Sequence, residues 1–233
     1  MHTNSTPDRS RYRPGAEIAI DLGNTNSCVA GYGPGEMEET LFRFCIPSWV
    51  AFADDDGTAL VGEAAKNYAD ADPEAAIFGF KRMLGLRRNH EDEEGVVQRL
   101  IERVPYKIGA KNFARPSVQV KAKDGAVRQL DVVEIASVVV AELKKMAEDH
   151  LGRNVRHAVV TVPQHFSDPS TWAAMDAGKI AGLDVPIAAA GAYGLRGKLR
   201  EDGNALVLHV GGGTADASVV TLMDGALFLG EMI

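Results

Sequence analysis

Apolar residues along this chain follow two rhythms, alternation in short runs and helical spacing in longer ones, separated by Gly, Pro and Asp clusters. From Glu17 to Tyr32 the runs EIAI and SCVAGY flank DLGNTN, which predicts a hairpin of two β-rich runs around a turn. Next, TLFRFC leads into a strand from Ile46 to Phe52 that starts at Pro47, where a missing N–H is tolerated. The stretch EAAKNYADADPEAAIFGFKRMLG reads as helical up to the Asp72-Pro73 break, with a second helical turn running into Lys81 and Arg82. HEDEEG reads as a solvated surface segment. VPYKI, SVQVKA and VRQLDV read as short strands, the last two joined by a turn at Lys123-Asp124-Gly125. The strongest helical signal is VVEIASVVVAELKKMAEDHLG, with Gly152 placed as its stop. HAVVTVP is then a buried strand ended by Pro163. A further helix follows in SDPSTWAAMDAGKIAG, capped by Ser167 or Asp168, with Pro169 in its first turn and Gly182 at its end. Strands, helix, strand, helix, strands: the order predicts an α/β architecture.

Composition narrows the function classes. The 233 residues are 45% hydrophobic and 24% charged, enough for one large domain or two small ones. With 32 acids against 25 bases and no basic stripe, nucleic acid is excluded as the expected partner. No run approaches membrane-spanning length, so no membrane partner is expected. Residues 1–16 are polar and lack an apolar core, and read as a disordered lead-in without a signal peptide, which makes the Asn4-Ser5-Thr6 sequon a chance match. Cys28 and Cys45 make no disulfide framework and lack C-x-x-C spacing, so a reducing compartment is the simpler setting.

Two stretches carry the candidate chemistry. EIAIDLGNTNSCVAGY and ALVLHVGGGTADASVV each run strand, Gly-containing turn, Thr, strand. In such a turn Gly lets the backbone approach a ligand, successive N–H groups form an anion-binding concavity, and Thr adds a donor. Two facing turns would clamp a triphosphate. An Asp at the end of the first strand, Asp21, would lie beside the phosphates and suits a hydrated Mg²⁺ held through water. His209 stands at the matching place in the second copy.

In order, IAIDLGNTNSCVA, PSWVAF, VGEAAKN, FKRMLG, VPYKI, HAVVTVP and VGGGTAD resemble the nucleotide-binding domain of the seventy-kilodalton heat-shock chaperones, from about Glu17 onward. That resemblance implies an actin-like ATPase fold. In it, two lobes, each a mixed five-stranded sheet of ribonuclease H-like type with flanking helices, close over ATP or ADP, Mg²⁺ and K⁺. It implies a first lobe over residues 17–186 and, over 187–233, the start of a second lobe that is otherwise missing, as is the peptide-binding domain. Co-chaperones are the implied protein partners, and stress response and protein folding the implied setting. PSWVAF and VPYKI look most like the endoplasmic-reticulum members, yet without a signal peptide or retention tail the expected location is cytoplasmic.

By the same resemblance Asp21 contacts the metal through water, and Gly23, Asn24, Thr25 and Asn26 form the first phosphate loop, with Asn24 in place of a usual Thr. Gly211, Gly212, Gly213 and Thr214 match the second phosphate loop. Lys81 matches the lysine that orients the attacking water, and Asp216 is the acid two residues after Thr214, so Lys81 and Asp216 are the implied catalytic pair. Pro163 matches a proline that relays nucleotide state to a linker absent here. Two departures stand out. The family has Asp where this chain has His209, and GLDVPIAAAGAYGL is shorter than its counterpart and lacks a metal-site Glu. The alternatives are therefore a truncated, non-enzymatic remnant with weak or no nucleotide binding, or another actin-like protein such as a sugar kinase. FKRMLG and PSWVAF speak against the last.

Overall fold

The computed structural model describes residues 17–33, 40–52, 58–87, 91–111, 115–121, 127–163, 166–185, 203–213, 215–223 and 226–232. The lead-in at 1–16, the sequon and the turn at 123–125 lie outside these residues. In chain order the elements are β1 (Ile18–Asp21), β2 (Asn26–Gly33), β3 (Thr40–Pro47), β4 (Trp49–Phe52), β5 (Ala59–Val61), α1 (Glu63–Tyr68) and β6 (Ala76–Phe78). A 3-10 turn (Phe80–Met83), α2 (Glu91–Ile101), β7 (Lys107–Lys111), β8 (Arg115–Lys121) and β9 (Val127–Asp131) follow. The chain continues through α3 (Val132–Leu151), β10 (Ala158–Thr161), α4 (Asp168–Ile180), β11 (Gly203–Val210), β12 (Ala215–Met223) and β13 (Ala226–Met232).

The central sheet is mixed, in the order β10-β1-β2-β3. β1 runs parallel to β10 and antiparallel to β2, so the predicted hairpin and the predicted buried strand meet at β1. Alternation sorts the faces of β1: Ile18 and Ile20 are buried, Ala19 is exposed. Across the buried face lies α3, whose Ile135, Ala136, Val139, Val140 and Leu143 are all fully buried. Its start is fixed by a capping box, with the Val133 N–H donating to Asp131 Oδ1 (2.9 Å) and the Asp131 N–H donating to Glu134 Oε2 (2.6 Å). Its end is Gly152, left-handed at φ 65° as predicted. α4 begins at the Ser167 cap with Pro169 in its first turn, and packs on α3.

Three local expectations are corrected, and one helix lies where none was expected. Pro47 ends β3 rather than opening the next strand; Ser48 breaks the chain's direction and β4 starts at Trp49. Ala76–Phe78 is a strand paired with β4, too short to show alternation among neighbouring helical residues. The unexpected helix is α2, whose first turns carry EDEEG of the acidic stretch. Val97 and Leu100, buried at 0% and 4% exposure, anchor that helix to the core, and acids suit its positive N-terminal end. Cys28 and Cys45 face each other on β2 and β3, with Cα atoms 4.1 Å apart, and are joined as a disulfide. A separation of 17 residues gives no hint of this, because the strand register creates the pairing.

The resemblance implies five strands in the sheet; the described residues give four. Beyond β10 a single parallel bridge, His157 to Asp184, continues it, closed by Ala158 N–H to Asp184 O (3.1 Å) and Asp184 N–H to Arg156 O (2.7 Å). Three smaller antiparallel sheets complete the fold, β5-β4-β6, β7-β8-β9 and β11-β12-β13. On β11, Leu206, Leu208 and Val210 are 62%, 67% and 83% exposed.

Candidate functional site

The first Gly turn joins β1 to β2 and is held from below. A Cβ on Gly23 would stand 1.9 Å from the Asn26 carbonyl oxygen, so only glycine fits there. The Gly23 N–H donates to Ser27 Oγ (3.2 Å), and Ser48 Oγ donates to the Gly23 carbonyl (2.7 Å). The two hydroxyls, both buried, lie 2.7 Å apart. The Ser48 N–H in turn donates to the Thr25 carbonyl (2.8 Å). Ser27 and Ser48 thus satisfy the inner side of the turn and leave Asn24, Thr25 and Asn26 to face the cavity. Sequence reasoning missed both serines; the signal was a small hydroxyl directly after a strand-ending proline.

Asp21 ends β1 opposite Thr161 on β10, and Thr161 Oγ1 donates to Asp21 Oδ1 (3.2 Å). Lys81 arrives from another direction. Gly79, left-handed at φ 66°, turns β6 into the 3-10 segment, and fully buried Phe80 and Met83 pin that segment. Tyr106, also buried, donates its hydroxyl to the Phe78 carbonyl just before the turn. Burial pushes the Tyr106 phenol far above its ordinary range, so it stays a neutral donor. Lys81 Nζ lies over the Phe166 ring, 5.6 Å from its centroid.

Gly211, Gly212 and Gly213 bring the second turn against the first. A Cβ on Gly212 would be 2.0 Å from Thr25 Oγ1, and one on Gly213 would be 2.9 Å from both Asn24 Nδ2 and Arg82 Nη2. One cavity of about 910 Å³ results, lined by Asp21, Lys81, the residues of both turns and Pro163. The structure therefore gathers the sequence-predicted residues Asp21, Gly23, Asn24, Thr25, Asn26, Lys81, Gly211, Gly212 and Gly213. Thr214 lies outside the described residues. Asp216 stands on β12 opposite His209 in the β11–β12 register.

Asn24 Oδ1 is buried and has no partner among the described residues, an open acceptor inside a turn otherwise rich in donors. Arg43, Arg82, Arg99 and Arg103, none of them singled out by sequence reasoning, also line the cavity. Among the described residues, no three His, Cys, Asp or Glu side chains gather as a metal site, and Asp21 is the one carboxylate in the lining. That donor set is a poor match for a divalent cation, which seeks hard, negatively charged oxygen ligands.

A family profile described as Hsp70 protein matches residues 17–229, which takes in the central sheet, the Lys81 strap and both Gly turns. Its members carry an actin-like ATPase fold, bind ATP or ADP with Mg²⁺ and act as chaperones. The mixed sheet, its flanking helices and the paired glycine turns over one cavity agree with that match, and the chain belongs to the Hsp70 family.

Proposed function

We propose that this chain is an ATP- or ADP-binding module of a chaperone that assists protein folding. The observation that carries the proposal is the meeting of the two glycine turns over a single cavity that also holds Asp21 and Lys81. Backbone N–H groups of Asn24–Asn26 and Gly211–Gly213 grip the phosphates, while Lys81 stabilises charge at the terminal one. Co-chaperones are the expected protein partners. Turnover is the lesser part of the activity. Lys81 and Asp216 are the proposed catalytic residues, but the chain has His209 where the family has a carboxylate, and losing one preorganised charge contact costs about 3 kcal/mol, on the order of a hundredfold in rate. His209 also favours a second reading, nucleotide binding without hydrolysis. Isothermal titration of the full chain with ATP and ADP tests the module directly. Saturable binding is expected, with turnover at or below the slow basal rate of the family. Absence of binding under every condition overturns the reading.

A further inference from the structure

Within the nucleotide reading, on which this inference rests, the cavity's charge is unusual. The chain as a whole is acidic, at −7, yet the described lining of this cavity holds five cations, Arg43, Lys81, Arg82, Arg99 and Arg103, against one carboxylate, Asp21. None of Arg82, Arg99 and Arg103 is paired with a carboxylate among the described residues. Arg82 Nη2 lies within about 3 Å of where a Cβ on Gly213 would stand, so a guanidinium already reaches the second turn.

We propose that this site takes its polyphosphate as the metal-free anion, with arginine supplying the neutralisation that a divalent cation gives in a carboxylate-rich site. A guanidinium presents a planar fork that matches two phosphate oxygens at once, and several of them compete with a metal for the same oxygens. A dication entering beside them meets a field of its own sign, with Asp21 as the one carboxylate among the described lining residues. Arg82 sits at the turns and holds the inner phosphates. Arg99 and Arg103, exposed at the end of α2, hold the outer charge at the cavity mouth.

The test titrates the full chain with ATP and, separately, with inorganic tripolyphosphate, each in EDTA and each in excess Mg²⁺. Both ligands are expected to bind in EDTA, and Mg²⁺ is expected to leave affinity unchanged or weaken it, by about threefold. Arg82→Gln, and the double change Arg99→Gln with Arg103→Gln, are each expected to weaken tripolyphosphate about tenfold in EDTA. Circular dichroism melts confirm that the variants fold, and because Arg99 and Arg103 are exposed the double variant is the safer of the two. Tightening by Mg²⁺ of about tenfold or more overturns the inference while leaving the nucleotide reading intact. Tripolyphosphate binding in EDTA without any ATP binding does the reverse. Failure of tripolyphosphate to bind in EDTA, or arginine variants that bind it as well as the unaltered chain, also overturns the inference.

Discussion

The two glycine turns share one local grammar and differ in what stands behind them. The first rests on β1 and β2, where Ile18, Ile20 and Val29 are no more than 2% exposed, and is braced by two buried hydroxyls. The second rises from β11, whose Leu206, Leu208 and Val210 face solvent. The pair of turns therefore has one rigid jaw and one jaw whose position depends on its contacts with the first, through Thr25, Asn24 and Arg82. A turn sequence specifies a local shape, but rigidity comes from burial underneath it.

Small changes at equivalent glycines should separate the two most sharply. Gly23→Ala drives a methyl into the Asn26 backbone carbonyl, which cannot step aside, and is expected to cost about 4 kcal/mol, visible as a collapse of the denaturant midpoint. Gly212→Ala meets the Thr25 side chain, its Oγ1 and Cβ, rather than backbone; the second turn can shift away from the first, so the loss of stability should be smaller than for Gly23→Ala while nucleotide affinity falls. Equal losses of stability in both variants would erase the distinction between the jaws.

The link between β2 and β3 comes next in size. Reducing the Cys28–Cys45 disulfide, or replacing both cysteines by serine, is expected to cost about 3 kcal/mol for a loop of this length, measured as a shift in urea midpoint with and without reductant. An unchanged midpoint would mean that the first jaw owes its rigidity to the core alone. Ser48→Ala should then cost about 2 kcal/mol, because Ser27 Oγ and the Gly23 carbonyl lose a buried partner, and nucleotide affinity should drop with it. Leu208→Ser on the second jaw should change the melting temperature little and raise solubility, checked by light scattering; a loss above about 1 kcal/mol would show that this face is packed in solution.

The smallest effect lies at the base of β1. At Glu17 partial burial works against the charge, but the hydrogen bond from Arg153 and the N–H groups of Arg156 and His157 outweigh it and hold the carboxyl below its usual range. Its stabilisation is thus present above the ordinary carboxylate pKa of 4.5 and fades as pH falls through the depressed folded value. Arg153 is half-exposed, so Glu17→Gln should cost less than about 1 kcal/mol at neutral pH and nothing once the group is protonated, read from paired melts.

Much of this molecule was legible in particular residues. The stop at Gly152, the Ser167 cap and the hairpin around Gly23 are local, because each is closed by hydrogen bonds or steric limits within a few residues. The two glycine turns and Lys81 carried enough motif context to be named, and the structure gathers them in one cavity. The acidic start of α2 and the strand Ala76–Phe78 were not legible, since their form depends on Val97 and Leu100 finding the core and on β4 offering an edge. Nor was the pairing of Cys28 with Cys45, of Ser27 with Ser48, or of four arginines around one cavity. Those residues lie far apart in the chain and share no pattern that links them; only the strand register and helix packing place them together, because such contacts are decided by which buried faces meet rather than by any local preference.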